Sequence, residues 1–426
     1  MTTTHVTRRS GIFTYENGLL LILGISFGFA FFDRNAAGIL VPFIQNDIPI
    51  NETEIGLLSS LLSVAWAIGA YVIARWSDAR GSRKPFLLAM LLIFSACSVI
   101  GGFATNYTVL LLSRMVMGLV EGPFLPVCLA IMTVESSEHR RGVNAGVMQN
   151  FFAAILGQFL APLVLVPIAQ AYGWRSAFFI AAVPGLICAV AVWLWVREPA
   201  KPAPPMPSAV TAAADGPHMG LFDMLRVRNI WLCCVIAIFA VGWFVMGWAF
   251  YAAYFANVVK MPPETMSRVM SVLGLSSAVC GFAAPWLSDR IGRKPVMILF
   301  TFAGVLTPVA VLYMHDSPVV LSVFMFLGWL GSGAFPLFMG VIPGESIPRR
   351  YSATAMGLVV GVGEVLGGFG IVTLAGKLAN LTSLVTPVLI QIGCMVIAGV
   401  LCLFLVETAP VKVRGVAAQT AAAKAA

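Results

Sequence analysis

Charge is what this sequence has least of. Only 10% of its 426 residues are Asp, Glu, Lys or Arg, against about 25% in a soluble domain. A further 59% are hydrophobic and the mean hydropathy is +0.93. Such a chain is a polytopic membrane protein, not a water-soluble domain. Histidine is scarce too. His5, His139 and His218 fall in loops or tails and His315 at an outer loop. With no central histidine and no nucleophile motif, an integral membrane enzyme is disfavoured. The eight cysteines all sit in apolar segments and none is spaced Cys-x-x-Cys. That excludes a disulfide framework and a thiolate metal site, and no cofactor or metal is expected. Residues Met1 to Glu16 are polar and lack the short apolar core and small-residue cleavage site of a signal peptide. The net charge of +8 is not gathered into a basic patch interleaved with aromatics, so nucleic acid is not an expected partner.

Long apolar runs are what the chain has in quantity. Hydropathy predicts twelve membrane segments at about 18–45, 53–76, 86–104, 107–134, 142–170, 176–196, 229–257, 264–287, 295–314, 318–345, 351–377 and 384–406, each near the roughly 20 residues that cross a bilayer. With both termini placed in the cytoplasm, 20 of the 26 Lys and Arg fall on the inner side. Arg175, Lys260, Arg268 and Lys377 fall outside, while Arg34 and Arg114 fall within the membrane. This asymmetry follows the positive-inside rule and predicts a multi-pass cell-membrane protein, in the inner membrane if bacterial. The one long connection, Arg197 to Arg228, opens with a Pro-rich run and reads as a flexible linker. The predicted organisation is an N-terminal tail (1–17), a six-helix bundle (18–196), a cytoplasmic linker (197–228), a second six-helix bundle (229–406) and a C-terminal tail (407–426).

The halves repeat each other. Ser77-Asp78-Ala-Arg80-Gly-Ser-Arg83-Lys-Pro85 returns as Ser288-Asp289-Arg-Ile-Gly-Arg293-Lys-Pro295. Asp78 and Asp289 are 211 apart, while Pro126 and Glu135 recur 210 residues on as Pro336 and Glu345. Parallel repeats of this kind are a transporter device. Asp78, Arg80, Arg83, Asp289, Arg293, Glu135 and Glu345, with Arg140, Arg141, Arg349 and Arg350 at the same level, are expected to form a cytoplasmic gate whose ion pairs latch the halves shut. The duplicated loop resembles the signature of the major facilitator superfamily, and Gly173-Trp174-Arg175-Ser-Ala-Phe178-Phe179 is similar to another stretch that recurs there. The resemblance covers nearly the whole chain and implies an all-α fold of twelve transmembrane helices in two pseudo-symmetric bundles.

Five charges lie deep: Asp33, Arg34, Arg114, Glu121 and Glu364. Ionisable groups there are expensive and mark transport paths. At ~1.5 Å per residue from the cytoplasmic helix ends, Asp33 and Arg34 lie about 22 and 24 Å up, Glu121 about 20 Å and Arg114 about 30 Å. Arg114 and Glu121 are seven apart and share a helix face. Adjacent residues diverge by about 100°, so Asp33 and Arg34 need different partners: Arg114 for Asp33, Glu121 for Arg34. Gly118 and Gly122 beside them permit close helix approach. An arginine gives a planar fork to a carboxylate. A neighbouring arginine favours an ionised carboxyl and burial a neutral one, the balance a proton-coupled carrier needs.

Asp-Arg in the first segment with Arg-x6-Glu-Gly-x-x-x-Pro in the fourth resembles the anion:cation symporter family, which includes D-galactonate carriers. The resemblance implies proton-coupled symport of a small organic anion (a carboxylate, sugar acid or aromatic acid) by alternating access, by a protein that acts as a monomer. It implies that Arg34 contacts the substrate carboxylate, that Asp33 and Glu121 carry protons and that Arg114 pairs with Asp33. Glu364 departs from the family, whose sugar-acid members tend to carry an amide there. Phe31 and Ile68 replace tyrosines of polyol-binding relatives. With Trp243, Trp248, Tyr251 and Tyr254 of the seventh segment, they suggest an apolar, aromatic cavity. Phe31, Arg34, Gln158, Trp243, Tyr251 and Glu364 are the expected substrate contacts, with Gln149 and Asn150 as further neutral groups. A cation exporter is disfavoured by Arg34 and Arg114, and a sugar-phosphate antiporter by the lack of a central Lys or Arg in segments seven to twelve. A nonconducting sensor of the same fold is the remaining alternative.

Overall fold

The computed structural model describes residues 14–137, 140–198, 219–348, 351–410 and 412. Among them twelve helices are long and apolar enough to cross a membrane: α1 (Tyr15–Ile44), α2 (Glu52–Ser77), α3 (Lys84–Gly102), α4 (Tyr107–Glu135), α5 (Arg141–Tyr172), α6 (Trp174–Trp195), α7 (Arg228–Asn257), α8 (Pro263–Ile291), α9 (Arg293–Tyr313), α10 (Pro318–Glu345), α11 (Ser352–Leu381) and α12 (Val385–Cys402). They form two six-helix bundles, α1–α6 and α7–α12. Most of the predicted linker, 199–218, lies outside the described residues.

The duplicated loops show why the motif needs its glycine. Gly81 and Gly292, 211 residues apart, both adopt positive φ, +66° and +111°, a region that costs a residue with a Cβ. Each turn delivers the next helix with Pro at its start, where the missing N–H is no loss. Inside α4, Gly122-Pro123 interrupts the helix after Glu121, and it resumes at Phe124. Gly122 is there because a Cβ would lie 2.0 Å from the Trp66 carbonyl of α2. The small-residue seam foreseen in the fourth segment therefore packs against α2.

Three helices contain more loosely wound turns, one of them α10, where Leu337–Val341 is π-helical. In α5, residues 147–151 and 153–160 are π-helical, and so are residues 363–371 of α11, its repeat partner. Such turns are rare and concentrate at functional sites.

The halves are tied together at mid-membrane and toward the end opposite the termini. Asn257 Nδ2 donates to Gln45 Oε1 at 2.9 Å, Ser267 to the Pro162 carbonyl at 2.8 Å, and Ser60 and Thr373 share a bond at 3.0 Å. Backbones touch there as well. A Cβ on Gly38 would lie 2.3 Å from the Trp248 carbonyl, and one on Gly274 2.1 Å from the Phe159 nitrogen. The central cavity reaches the other way, to Gln149, Met339, Gly340 and Val360.

Candidate substrate site and ion-pair layer

A cavity of about 530 Å³ lies between the halves at mid-membrane. Helix α1 supplies Phe31, Arg34 and Asn35, α2 supplies Ser63 and Trp66, and α5 supplies Gln149, Asn150 and Gln158. From the other half come Phe244 and Trp248 of α7, Ser277 of α8, Phe335 of α10 and Glu364 of α11. The π-helical turns of α5 and α11 carry Gln149, Asn150, Gln158 and Glu364. Asn35 does not face an open partner: its amide donates to the Gly157 carbonyl at 2.9 Å and pins α1 to α5.

Arg34 is the only Lys or Arg among the described residues lining this cavity. Its guanidinium carbon stands 5.6 Å from the Phe31 ring centroid and 5.8 Å from that of Trp66. The expected ion pair with Glu121 is not formed, because the Arg34 side chain turns into the cavity over these two rings. Glu121 is buried behind them and its Oε1 has no partner among the described residues. Glu364 lines the cavity beside Ser63, with Oε2 buried and without a hydrogen-bond partner among the described residues.

The other crossed contact is present. Arg114 Nη1 lies 3.6 Å from Asp33 Oδ1, both side chains being fully buried. Ser98 donates a short hydrogen bond to the same oxygen, and Arg114 also donates to the Asp33 carbonyl at 3.3 Å. The Phe178 ring covers the guanidinium at 4.9 Å. Asp33 Oδ2 and Arg114 Nη2 find no partner among the described residues. This pair forms a layer behind the cavity wall.

Other expected contacts fall elsewhere. Trp243 and Tyr251 do not line the cavity. In α7 the cavity face is Val241, Phe244, Val245 and Trp248, the i, i+3, i+4, i+7 stripe. Trp243 is on another face, 4.6 Å from the Trp329 ring, and Tyr251 donates to Gln391 of α12 in the core of the second half. Ile68 is half exposed on the outer surface, and Trp66 takes the place expected of it. Trp66, Ser63 and Phe335 had carried no signal in the sequence, since Ser, Trp and Phe are ordinary membrane residues.

At the end carrying the termini, Arg293 of α9 pairs with Asp289, forks Glu345 at 2.9 and 3.2 Å and donates to Ser288 at 2.8 Å. This cluster ties α8, α9 and α10 within one half; it is not a latch across the halves. Arg83 donates to Ser77 at 3.2 Å, and Arg80 stacks on Trp76 at 4.5 Å. Glu135 makes no ion pair among the described residues; Glu16 of α1 takes Arg140 at 3.8 Å and Asn144 at 2.7 Å instead. The side chain of Asp78 and all of His139, Arg349 and Arg350 lie outside the described residues. Two acids went unread in the sequence. Glu198 accepts from the backbone N–H groups of Arg83 and Lys84, and Glu407 from those of Arg293 and Lys294. They stand 209 residues apart and cap equivalent helix N-termini, where a carboxylate is favoured.

Comparison with known proteins agrees with this architecture. The family model described as Major Facilitator Superfamily matches residues 23–371 and 249–425. The chain is 27% identical over 368 residues to a probable 4-methylmuconolactone transporter of Cupriavidus pinatubonensis, covering 82% of each chain. It is 26% identical over 380 residues to the gentisate transporter of Corynebacterium glutamicum, covering 83% of this chain and 82% of that protein. Among solved structures, the D-xylose-proton symporter superposes with a TM-score of 0.74 at 16% identity, over 93% of this chain and 99% of that one. The duplicated loop, the two bundles and these matches agree: the chain belongs to the Major Facilitator Superfamily and is a membrane transporter, not an enzyme.

Proposed function

We propose that this transporter moves a small organic anion together with protons by alternating access. The observation that carries the reading is Arg34, the one cavity cation among the described residues, with no carboxylate partner among them within ion-pair distance. A bare charge in a low-dielectric cavity favours a counter-ion, and a guanidinium offers a carboxylate two parallel hydrogen bonds. Relatives named as gentisate and hexuronate transporters support an organic acid as the substrate. The aromatic walls favour a flat or apolar body behind the carboxylate.

Coupling rests on Glu121 and Asp33. Arg34's charge favours ionised Glu121. A bound substrate carboxylate offsets that charge, so proton and anion favour the same loaded state, and linkage makes the effect reciprocal. Asp33, held by Arg114 and Ser98, is the second carrier. The basic loops support a cytoplasmic position for both termini; on that reading the cavity of this structure faces inward and a monomer contains the whole path.

The test is uptake of labelled gentisate and glucuronate into proteoliposomes under an imposed proton gradient, beside binding to purified Arg34→Lys. The lysine keeps the charge and loses the fork, at a cost of about 1.5–3 kcal/mol, or roughly ten- to a hundredfold in affinity. Wild-type affinity in the variant overturns Arg34 as the anchor. Uptake indifferent to the gradient overturns proton coupling.

A further inference from the structure

Three tryptophans cluster at the cavity wall: Trp248 of α7, which lines the cavity, with Trp243 of α7 and Trp329 of α10 behind it, the Trp329 ring centroid 4.6 Å from that of Trp243 and 6.1 Å from that of Trp248. All three are buried. The indole nitrogens of Trp243 and Trp248 have no hydrogen-bond partner among the described residues. Trp329 differs. Its Nε1–H donates to Ser277 Oγ at 3.0 Å, and Ser277 Oγ donates to Gln158 Oε1 at 2.7 Å. The relay runs from α10 through α8 to α5 and so crosses from one half to the other. Ser277 and Gln158 line the cavity and Trp329 does not.

The bonds found in the structure give this relay one direction. An indole N–H only donates, and a serine hydroxyl has a single hydrogen. The indole N–H takes one of Ser277's two acceptor sites, and the hydroxyl hydrogen goes to the Gln158 carbonyl oxygen. Gln158 must then turn its carbonyl oxygen to Ser277 and its NH2 elsewhere. Nothing among the described residues accepts from that NH2, and the side chain borders the cavity. An unconstrained glutamine presents either end to a ligand; this one presents a donor.

We propose that Trp329 is a positioning residue that acts through Ser277 to lock Gln158 as a hydrogen-bond donor toward the cavity, so that the site selects organic acids carrying a second acceptor oxygen, such as a ketone. The proposal rests on the organic-anion reading and deepens it. Arg34 receives the carboxylate and the Gln158 amide receives the second oxygen. Rejection of the analogue without that oxygen follows because the buried amide would be left unpaired.

The experiment compares three pairs of acids in which the ketone oxygen is replaced by a methyl group: pyruvate with isobutyrate, levulinate with 4-methylpentanoate, and 4-acetylbenzoate with 4-isopropylbenzoate. Calorimetric titration of the full-length protein in detergent reads each affinity. Wild type is expected to prefer the keto acid in at least one pair by about tenfold. Trp329→Phe keeps a ring and removes the N–H; it should bring the preference within about twofold while leaving the alkyl acid's affinity near wild type. Ser277→Ala should also abolish the preference, and Ser277→Thr should restore it. Trp329→Phe added to Gln158→Leu should change nothing further, because the two act as a unit. A preference that survives Trp329→Phe and Ser277→Ala overturns the proposal. Parallel loss of both acids of a pair, which a merely structural role would give, overturns it too. Acids that bind wild type with no preference in any pair sink the relay and leave the anion reading standing. If none of the six acids binds while their methyl esters do, the anion reading fails and takes the relay with it.

Discussion

Glu121 shows how far a single residue's setting shapes what it is able to do. The Gly122-Pro123 break fixes where it sits, Gly122's contact with the Trp66 backbone holds it against α2, and Arg34 turns into the cavity over Phe31 and Trp66 without pairing with it. A permanent pair would tie the proton state to one geometry. On the coupling proposed above, a gap filled by substrate lets the anion alter it. Glu121→Gln mimics the protonated form permanently. The variant should still bind substrate and exchange it across the membrane in counterflow, and should lose accumulation against a gradient. Full proton-driven accumulation by Glu121→Gln would leave the coupling to Asp33 alone. These deep charges were legible in the sequence, because ionisable residues are rare in apolar segments. Trp66 and Ser63 were not, because nothing in their type separates a cavity residue from a lipid-facing one.

At the scale of elements, the Gly173-Trp174-Arg175 stretch has a role that its sequence did not declare. At the start of α6, Arg175 and the Trp174 indole both donate to Asp47, in the connection between α1 and α2, the indole at 3.0 Å. Arg175 also donates to the Ala104 carbonyl at 3.4 Å and lies over its own Trp174 ring at 4.3 Å. Arg175's hydrogen bond first, then that of Trp174, holds the Asp47 carboxyl below its ordinary value. A carboxyl depressed in the folded protein contributes stability above its unfolded value, and that contribution is lost as pH falls through the folded one. Asp47→Asn should therefore lower the thermal midpoint near neutral pH and leave it nearly unchanged at strongly acid pH, where wild type has lost the same contribution. Equal thermal midpoints of the two proteins at neutral pH would show that the clasp contributes nothing. The exposure of the pair makes the effect small.

The whole molecule alternates only if the ties between its halves release. On the side away from the termini these ties are neutral: Asn257 to Gln45, Ser267 to Pro162, Ser60 to Thr373, and close backbone contacts. Neutral hydrogen bonds contribute only about 1 kcal/mol each, which suits a seal that opens each cycle. Gln45→Cys with Asn257→Cys, in a background without the eight native cysteines, should cross-link under mild oxidation and hold the cavity on the terminal side. Transport should fall to background and return on reduction. Unimpaired transport by the cross-linked protein would mean that this seam stays shut throughout the cycle. The salt bridges at the opposite end lie within the second half, so a cytoplasmic latch of Asp289, Arg293 and Glu345 is no part of this conformation.

The sequence by itself determined the membrane class, the twelve helices, the repeat and the identity of the deep charges. Each of these follows from local composition or from spacing along one chain. Only the tertiary structure decided which charges meet. Arg114 reaches Asp33, whereas Arg34 turns away from Glu121 into the cavity, and that choice depends on the rings of Phe31 and Trp66 on two different helices. It also decided which face of α7 borders the cavity, since an all-apolar helix has no polar side to mark it. The π-helical turns that aim Gln158 and Glu364 leave no trace in a 3.6-residue period. The relay from Trp329 to Gln158 joins residues 171 apart, and no spacing rule brings such residues together before the helices pack.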